Sequence, residues 1–138
     1  MAEDDFSQAP DQLREAIERA GSNNWRARAE AATRLGDWIT QPKIIQQLVL
    51  MLDDRDTAVT EAAVASLVRD PNLDGLAGVV KALGQDPHVA DHIQAKLISL
   101  WFDGYPLVRL LEELTKKFAS GPIRDGADEI LIVLNGQE

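Results

Sequence analysis

Along most of this chain apolar residues return every three or four positions, the period of a helix buried on one face. The stretch Asp53 to Leu67, DDRDTAVTEAAVASL, shows the unit most plainly. An Asp-rich turn opens it, and Asp56 stands where a helix N-cap would stand. Val59, Ala63 and Leu67 follow at steps of four, and the small pair Ala62-Ala63 lets a neighbouring helix come close. With Val59 as register mark, the same position falls to Ala27, Val59, Val89 and Ile123, at spacings of 32, 30 and 34 residues. Four residues on stand Ala31, Ala63, Ile93 and Ala127, and eight on stand Leu35, Leu67, Leu97 and Leu131. Three residues before the mark come Asn24, Asp56, Asp86 and Ser120, all residue types that cap helices.

Each of the first three copies carries a second apolar-periodic segment after a turn. Taken as 42–52, 73–83 and 105–118, these bury Ile45, Leu48 and Leu52, then Leu76, Val80 and Leu83, then Val108, Leu111, Leu114 and Phe118. Pro42 and Pro106 sit at the helix starts, where a missing N–H costs little. The fourth copy has a first helix only, Ile123 to Leu134. Ahead of the copies, Asp11 to Ala20 reads as a one-sided helix with Leu13, Ala16, Ile17 and Ala20 inward, suited to the end of a stack. Residues 1–9 read as a flexible acidic tail and 10–138 as a single domain. The expected fold is all-α, with eight helices and no strand.

Helix pairs in tandem with this pattern resemble HEAT-type repeats. The matching residues are Arg28, Ala31, Ala32, Leu35 and Gly36 in the first copy and Asp56, Val59, Ala62, Ala63 and Leu67 in the second. Asp86, Val89 and Leu97 match in the third, and Ile123, Arg124, Ala127 and Leu131 in the fourth. The resemblance covers roughly residues 22 to 134; the period of about 30 is shorter than the usual HEAT and armadillo range, so the chain is most similar to the compact bacterial HEAT-like kind. It departs at Thr60 and Ala90, where the pattern has Arg, and at Ile93-Gln94, where it has a small pair. It implies a right-handed α–α superhelix of about three and a half repeats with an N-terminal cap helix. Proteins of this kind are mostly binding scaffolds. A few are enzymes acting on nucleic acid or on tetrapyrroles, which gives an alternative reading, and an acidic inhibitor or immunity-type protein gives another.

Composition narrows the partners. The 23 acidic and 14 basic side chains give a net charge of -9, so free nucleic acid and anionic membranes are poor partners for the molecule as a whole. No cysteine is present, which excludes disulfides and thiolate metal sites and suits a reducing cytoplasm. No apolar run approaches the ~20 residues of a membrane helix, and the acidic start MAEDDFSQAP has no signal-peptide character. The expected localisation is cytoplasmic.

Candidate chemistry is sparse. His88 and His92 share a helix face at a spacing that can hold a metal, but there is no H-E-x-x-H and no third ligand in the sequence. His88 is expected in solvent and His92 along a groove between helices. Trp25, Trp38 and Trp101 read as core aromatics filling gaps between repeats rather than as a base cage. Gly75 and Gly78 lack the strand context of a phosphate loop. Ser66 and Ser99 read as packing residues, and Glu112-Glu113 with Lys116-Lys117 as surface pairs. No catalytic residue, metal or cofactor is expected.

The distribution of charge is more informative. The three second helices carry Lys43, Lys81, Arg109, Lys116 and Lys117 against Asp74, Glu112 and Glu113, a mildly basic face on an acidic chain. In HEAT-type stacks the second helices line the concave face, so the resemblance implies protein binding there. The expected contact residues are Lys43, Gln46, Gln47, Lys81, Arg109, Glu113 and Lys116, and the expected partner is a protein, with an acidic segment as the best fit. At the other end, Ile130 to Leu134 are five apolar residues in a row, with Ile132 and Val133 on the flanks of the inward stripe. They predict either cover from the preceding helix or, as the preferred expectation, cover by another chain, as a weak end-to-end homodimer or a partner docked on this helix.

Overall fold

The computed structural model describes residues 10–85 and 87–136, and these are all-α. In chain order the helices are α1 (Asp11–Ala20), α2 (Trp25–Leu35), α3 (Pro42–Met51), α4 (Thr57–Leu67), α5 (Asp74–Gln85), α6 (Pro87–Phe102), α7 (Leu107–Lys117) and α8 (Pro122–Asn135). A short 3-10 turn, Gly36–Trp38, joins α2 to α3. The tail 1–9 and the expected cap Asp86 lie outside the described residues. Among those described, no helix is long and apolar enough to cross a membrane.

Two of the predicted caps form as expected. Asn24 Oδ1 accepts from the Arg26 N–H at 2.8 Å, and Asp56 Oδ1 accepts from the Ala58 N–H at 3.0 Å. Ser120 does not cap α8. That helix starts at Pro122, and its cap is Gly121 at φ 101°. Proline pushes the residue before it out of the helical region, and only glycine enters the left-handed region without strain.

The helices form one layer in which α1 packs on α2, α2 on α4 and α4 on α6. The α2–α4 seam is the most extensive. Ala31, Ala32 and Ala63 are fully buried, and Ser66 Oγ donates to the Ala32 carbonyl at 2.7 Å. Leu35, Leu67 and Leu97, the eight-on positions, are fully buried too. A second layer begins with α3 beside α5. On α3, Leu48 and Leu52 are buried as expected, together with Met51, while Ile44 takes the buried place expected for Ile45, which turns half outward. On α7 the buried residues are Leu107, Leu111 and Leu114, with Val108 and Phe118 half-buried. The tryptophans divide as well. Trp38 and Trp101 pack half-buried on the core, whereas Trp25 is 42% exposed with the Arg26 guanidinium over its ring.

The last helix departs from the spacing of the others. α8 packs on α5 and α7, and it shares no comparable seam with α6. Its buried stripe is Gly126, Ala127, Ile130 and Leu134, while the marks Ile123 and Leu131 are half-buried on the flank. The cause is Gly126. A Cβ there would lie 2.1 Å from the Val80 carbonyl oxygen, so α8 and α5 touch backbone to backbone. Gly84 lies near the Pro122 carbonyl, so the two helices run antiparallel. α8 thus lies beside α5, and α7 packs on α8.

One buried ion pair ties the turns together. Arg28 Nε and Nη2 donate to the two carboxylate oxygens of Asp54 at 2.9 and 3.0 Å, and Nη1 donates to the Ser22 carbonyl at 2.9 Å. Asp54 Oδ1 also accepts from the Asp56 N–H at 2.8 Å. Burial pushes the Asp54 carboxyl up, but the Arg28 fork, the Asp56 N–H and the nearby Arg55 charge outweigh it and hold it below the ordinary 3.8. Arg124, at the same place in the sequence pattern, donates to the Thr115 carbonyl at 2.9 Å and more weakly to that of Phe118. In both cases the arginine reaches a carbonyl six residues upstream.

Two outcomes are expected. Gly126→Ala should cost about 1–3 kcal/mol in urea unfolding, because a methyl group forces the α5–α8 seam apart. Gly136→Ala, where a Cβ meets only ordinary contacts, should stay within about 0.5 kcal/mol; equal effects at both sites would contradict the seam. For the ion pair, the folded Asp54 value lies below the unfolded one, so its contribution is full above about pH 4 and fades as pH falls through the depressed value. Melting curves of wild type and Asp54→Asn should therefore differ most at pH 7 and converge in acid.

Candidate functional site

The five apolar residues Leu48 to Leu52 are more than one helical face can bury. Leu48, Met51 and Leu52 take the core, which leaves Val49 half-buried and Leu50 75% exposed. On the neighbouring helix, Gly78 faces this strip, and a Cβ there would lie 2.8 Å from Val49 Cγ2. Glycine inside a helix costs ~1 kcal/mol relative to alanine, and here its bare flank lets α3 approach and leaves a depression between the helices. The result is a groove of about 490 Å³. Ile45, Val49 and Gly78 floor it, and Leu50 stands on its rim with Gln46, Asp74 and Lys81. The other large apolar side chains that are well exposed, Trp25, Phe102 and Ile132, are not part of it.

The expected contact residues do not all meet. Gln46 and Lys81 are exposed and line this groove; Lys43 and Gln47 lie on α3, half-buried. Arg109, Glu113 and Lys116 are exposed on α7, where Arg109 Nη1 pairs with Glu113 Oε2 at 3.2 Å. Because α8 packs on both α5 and α7, it stands between the two groups, and the seven do not form a continuous row. Ile132 is 71% exposed, and Val133 is half-buried. The residues missed from sequence are Leu50, Val49 and Asp74. The apolar run 48–52 was the available signal for the first two.

A second groove, of about 410 Å³, runs between the starts of α4 and α6. His88 and His92 both line it, opposite Asp53, Arg55 and Thr57. Among the described residues no group of three His, Asp or Glu side chains is placed to hold a metal ion. Ser66 is spent on the Ala32 carbonyl. Burial pushes the Tyr105 hydroxyl up to about 12, which keeps it protonated at neutral pH.

Compared with family models, with curated proteins and with solved structures, the chain matches none. Its reading rests on its own residues. The groove geometry is checked by a pair of substitutions two residues apart. Leu50→Ser should change unfolding free energy by less than about 0.5 kcal/mol. Leu48→Ala, fully buried, should cost about 2–5 kcal/mol in the same urea titration. A large loss at Leu50 would place it in the core.

Proposed function

We propose that this protein is a non-catalytic protein-binding module that works through the α3–α5 face, on a compact right-handed stack of HEAT-like helix pairs with α1 as cap. The observation that carries this reading is Leu50, three-quarters exposed on the rim of an apolar groove. Burying such a side chain on binding is worth ~1.5–3 kcal/mol, and an exposed anchor beside a formed depression is what protein partners use. The polar rim of Gln46, Asp74 and Lys81 supplies orientation. For the stack, support comes from the α1–α2–α4–α6 packing order and from the shared carbonyl reach of Arg28 and Arg124. The cysteine-free composition agrees with a reducing cytoplasmic setting.

The acidic-segment partner rests now on Lys81 and Lys43 alone, since the α7 cations stand elsewhere, and Asp74 offsets them. A partner with one apolar anchor and mixed charge fits the rim better than a purely acidic one. The test is affinity capture from native lysate with wild type and Leu50→Asp as baits, read by quantitative mass spectrometry. The variant should lose the specifically captured protein by about tenfold or more, with an unchanged helical circular dichroism spectrum. Equal capture would rule out this face.

A further inference from the structure

The groove is complementary to itself. On α5 the residues Asp74, Gly78 and Lys81 fall within roughly 60° of one another and form its outward stripe. Gly78 marks the edge of this stripe that Val49 of α3 covers, and Val80 turns toward α8, so the open part of the stripe is the line from Asp74 to Lys81. Asp74 and Lys81 are both exposed and stand about 10 Å apart along the axis, with Gly78 between them. The same surface holds an apolar knob, Leu50, and an apolar floor, Ile45 with Val49.

We propose that the occupant of this groove is a second copy of the chain, docked about a two-fold axis that passes at Gly78 perpendicular to α5. This inference rests on the α3–α5 face being a binding face, and it names the partner. In that arrangement the two α5 helices cross antiparallel along the exposed line from Asp74 to Lys81, with the small Ala77 and Gly78 between. Asp74 of each copy meets the partner's Lys81, and the reciprocal pair follows by symmetry. Each Leu50 reaches over the partner's apolar floor. Knob, floor, anion and cation on one patch are the requirements of an isologous contact.

Charge favours this site over the others. A chain of net -9 repels its copy, so a homodimer needs a locally neutral patch, and Asp74 with Lys81 gives one. Ile132 fails that condition, because the other exposed residues of its helix face are Asp125 and Glu129. Self-association therefore belongs to α3–α5 rather than to the end of α8. A purely acidic segment would be repelled by Asp74 wherever it is attracted by Lys81, whereas a second copy satisfies both.

Sedimentation velocity on the full chain, over a concentration series reaching the millimolar range, tests this. Wild type should dimerise as concentration rises. Leu50→Asp and Leu50→Ser should both shift the protein to monomer with melting curves like wild type. Asp74→Lys alone and Lys81→Asp alone should each weaken dimerisation about tenfold, and the double swap should recover most of that loss because the reciprocal pairs re-form. Wild type that stays monomeric throughout, or a double swap no better than the singles, overturns the proposal. If wild type is monomeric while Leu50→Asp still loses a protein captured from lysate, the dimer is wrong and the binding face stands. If Leu50→Asp alters neither, both are wrong.

Discussion

The close approach of α2 and α4 sets the spacing of the helices stacked beside them. Ser66 Oγ donates to a carbonyl in the neighbouring helix, which is possible only when the two backbones are near. Ala31, Ala32 and Ala63 are the residues that permit it. Such small side chains bury little area each, so the hydrophobic stabilisation must come from the large residues on either side, Leu35, Leu48 and Leu67 among them. The same device recurs in stronger form elsewhere. A Cβ at Gly75 would lie 2.0 Å from the Leu67 carbonyl, and one at Gly126 would lie 2.1 Å from that of Val80. Where small residues face inward they bring helices together. At Gly78, on the side of α5 that faces α3, the missing side chain leaves room for Val49 beneath a groove.

Helix content and most of the core were legible because they depend on a period and on local capping. The stripe at Val59, Ala63 and Leu67 is buried as its spacing requires, and Asn24 and Asp56 cap as their residue types suggest. What was not legible depends on contacts between distant segments. Ile44 and Ile45 are chemically alike, so no pattern says which turns inward. Ser120 is a good cap by type, but the Gly121-Pro122 pair moves the helix start. Position 28 matched the resemblance as an arginine, yet its burial against Asp54 could not be read from sequence, since the partner lies 26 residues away. Of the candidate site, Gln46 and Lys81 were legible as exposed polar positions on second helices. Their separation from Arg109 and Lys116 follows from where α8 goes, and one glycine decides that.

The Arg28–Asp54 pair shows how polar residues can sit at the edge of this core with every arm of the guanidinium fork engaged. The guanidinium fork uses both carboxylate oxygens and its remaining arm takes a backbone carbonyl. Asp54 in turn holds the Asp56 N–H, which positions the residue that caps α4. A single network thus joins the α1–α2 turn to the start of α4. Among the described residues no buried side-chain nitrogen or oxygen lacks a partner, which is the condition under which buried polar groups define one structure instead of weakening it.

The placement of α8 breaks the packing order followed by α2, α4 and α6. A stack that adds helix pairs in fixed register has no internal reason to end, because each pair leaves an apolar face for the next. Here α8 leaves the register. It lies beside α5, α7 packs on it, and Arg124 holds the carbonyls at the end of α7. α8 therefore buries its stripe of Gly126, Ala127, Ile130 and Leu134 against α5 and α7. Its outward side, Asp125, Glu129 and Ile132, carries two charges to one apolar residue. At the N-terminal end α1 does the same with Leu13, Ala16 and Ala20 inward and charged residues outward. Of the large apolar side chains left well exposed among the described residues, Leu50 on the α3–α5 flank sits beside a formed apolar groove, whereas Trp25, Phe102 and Ile132 stand apart from it.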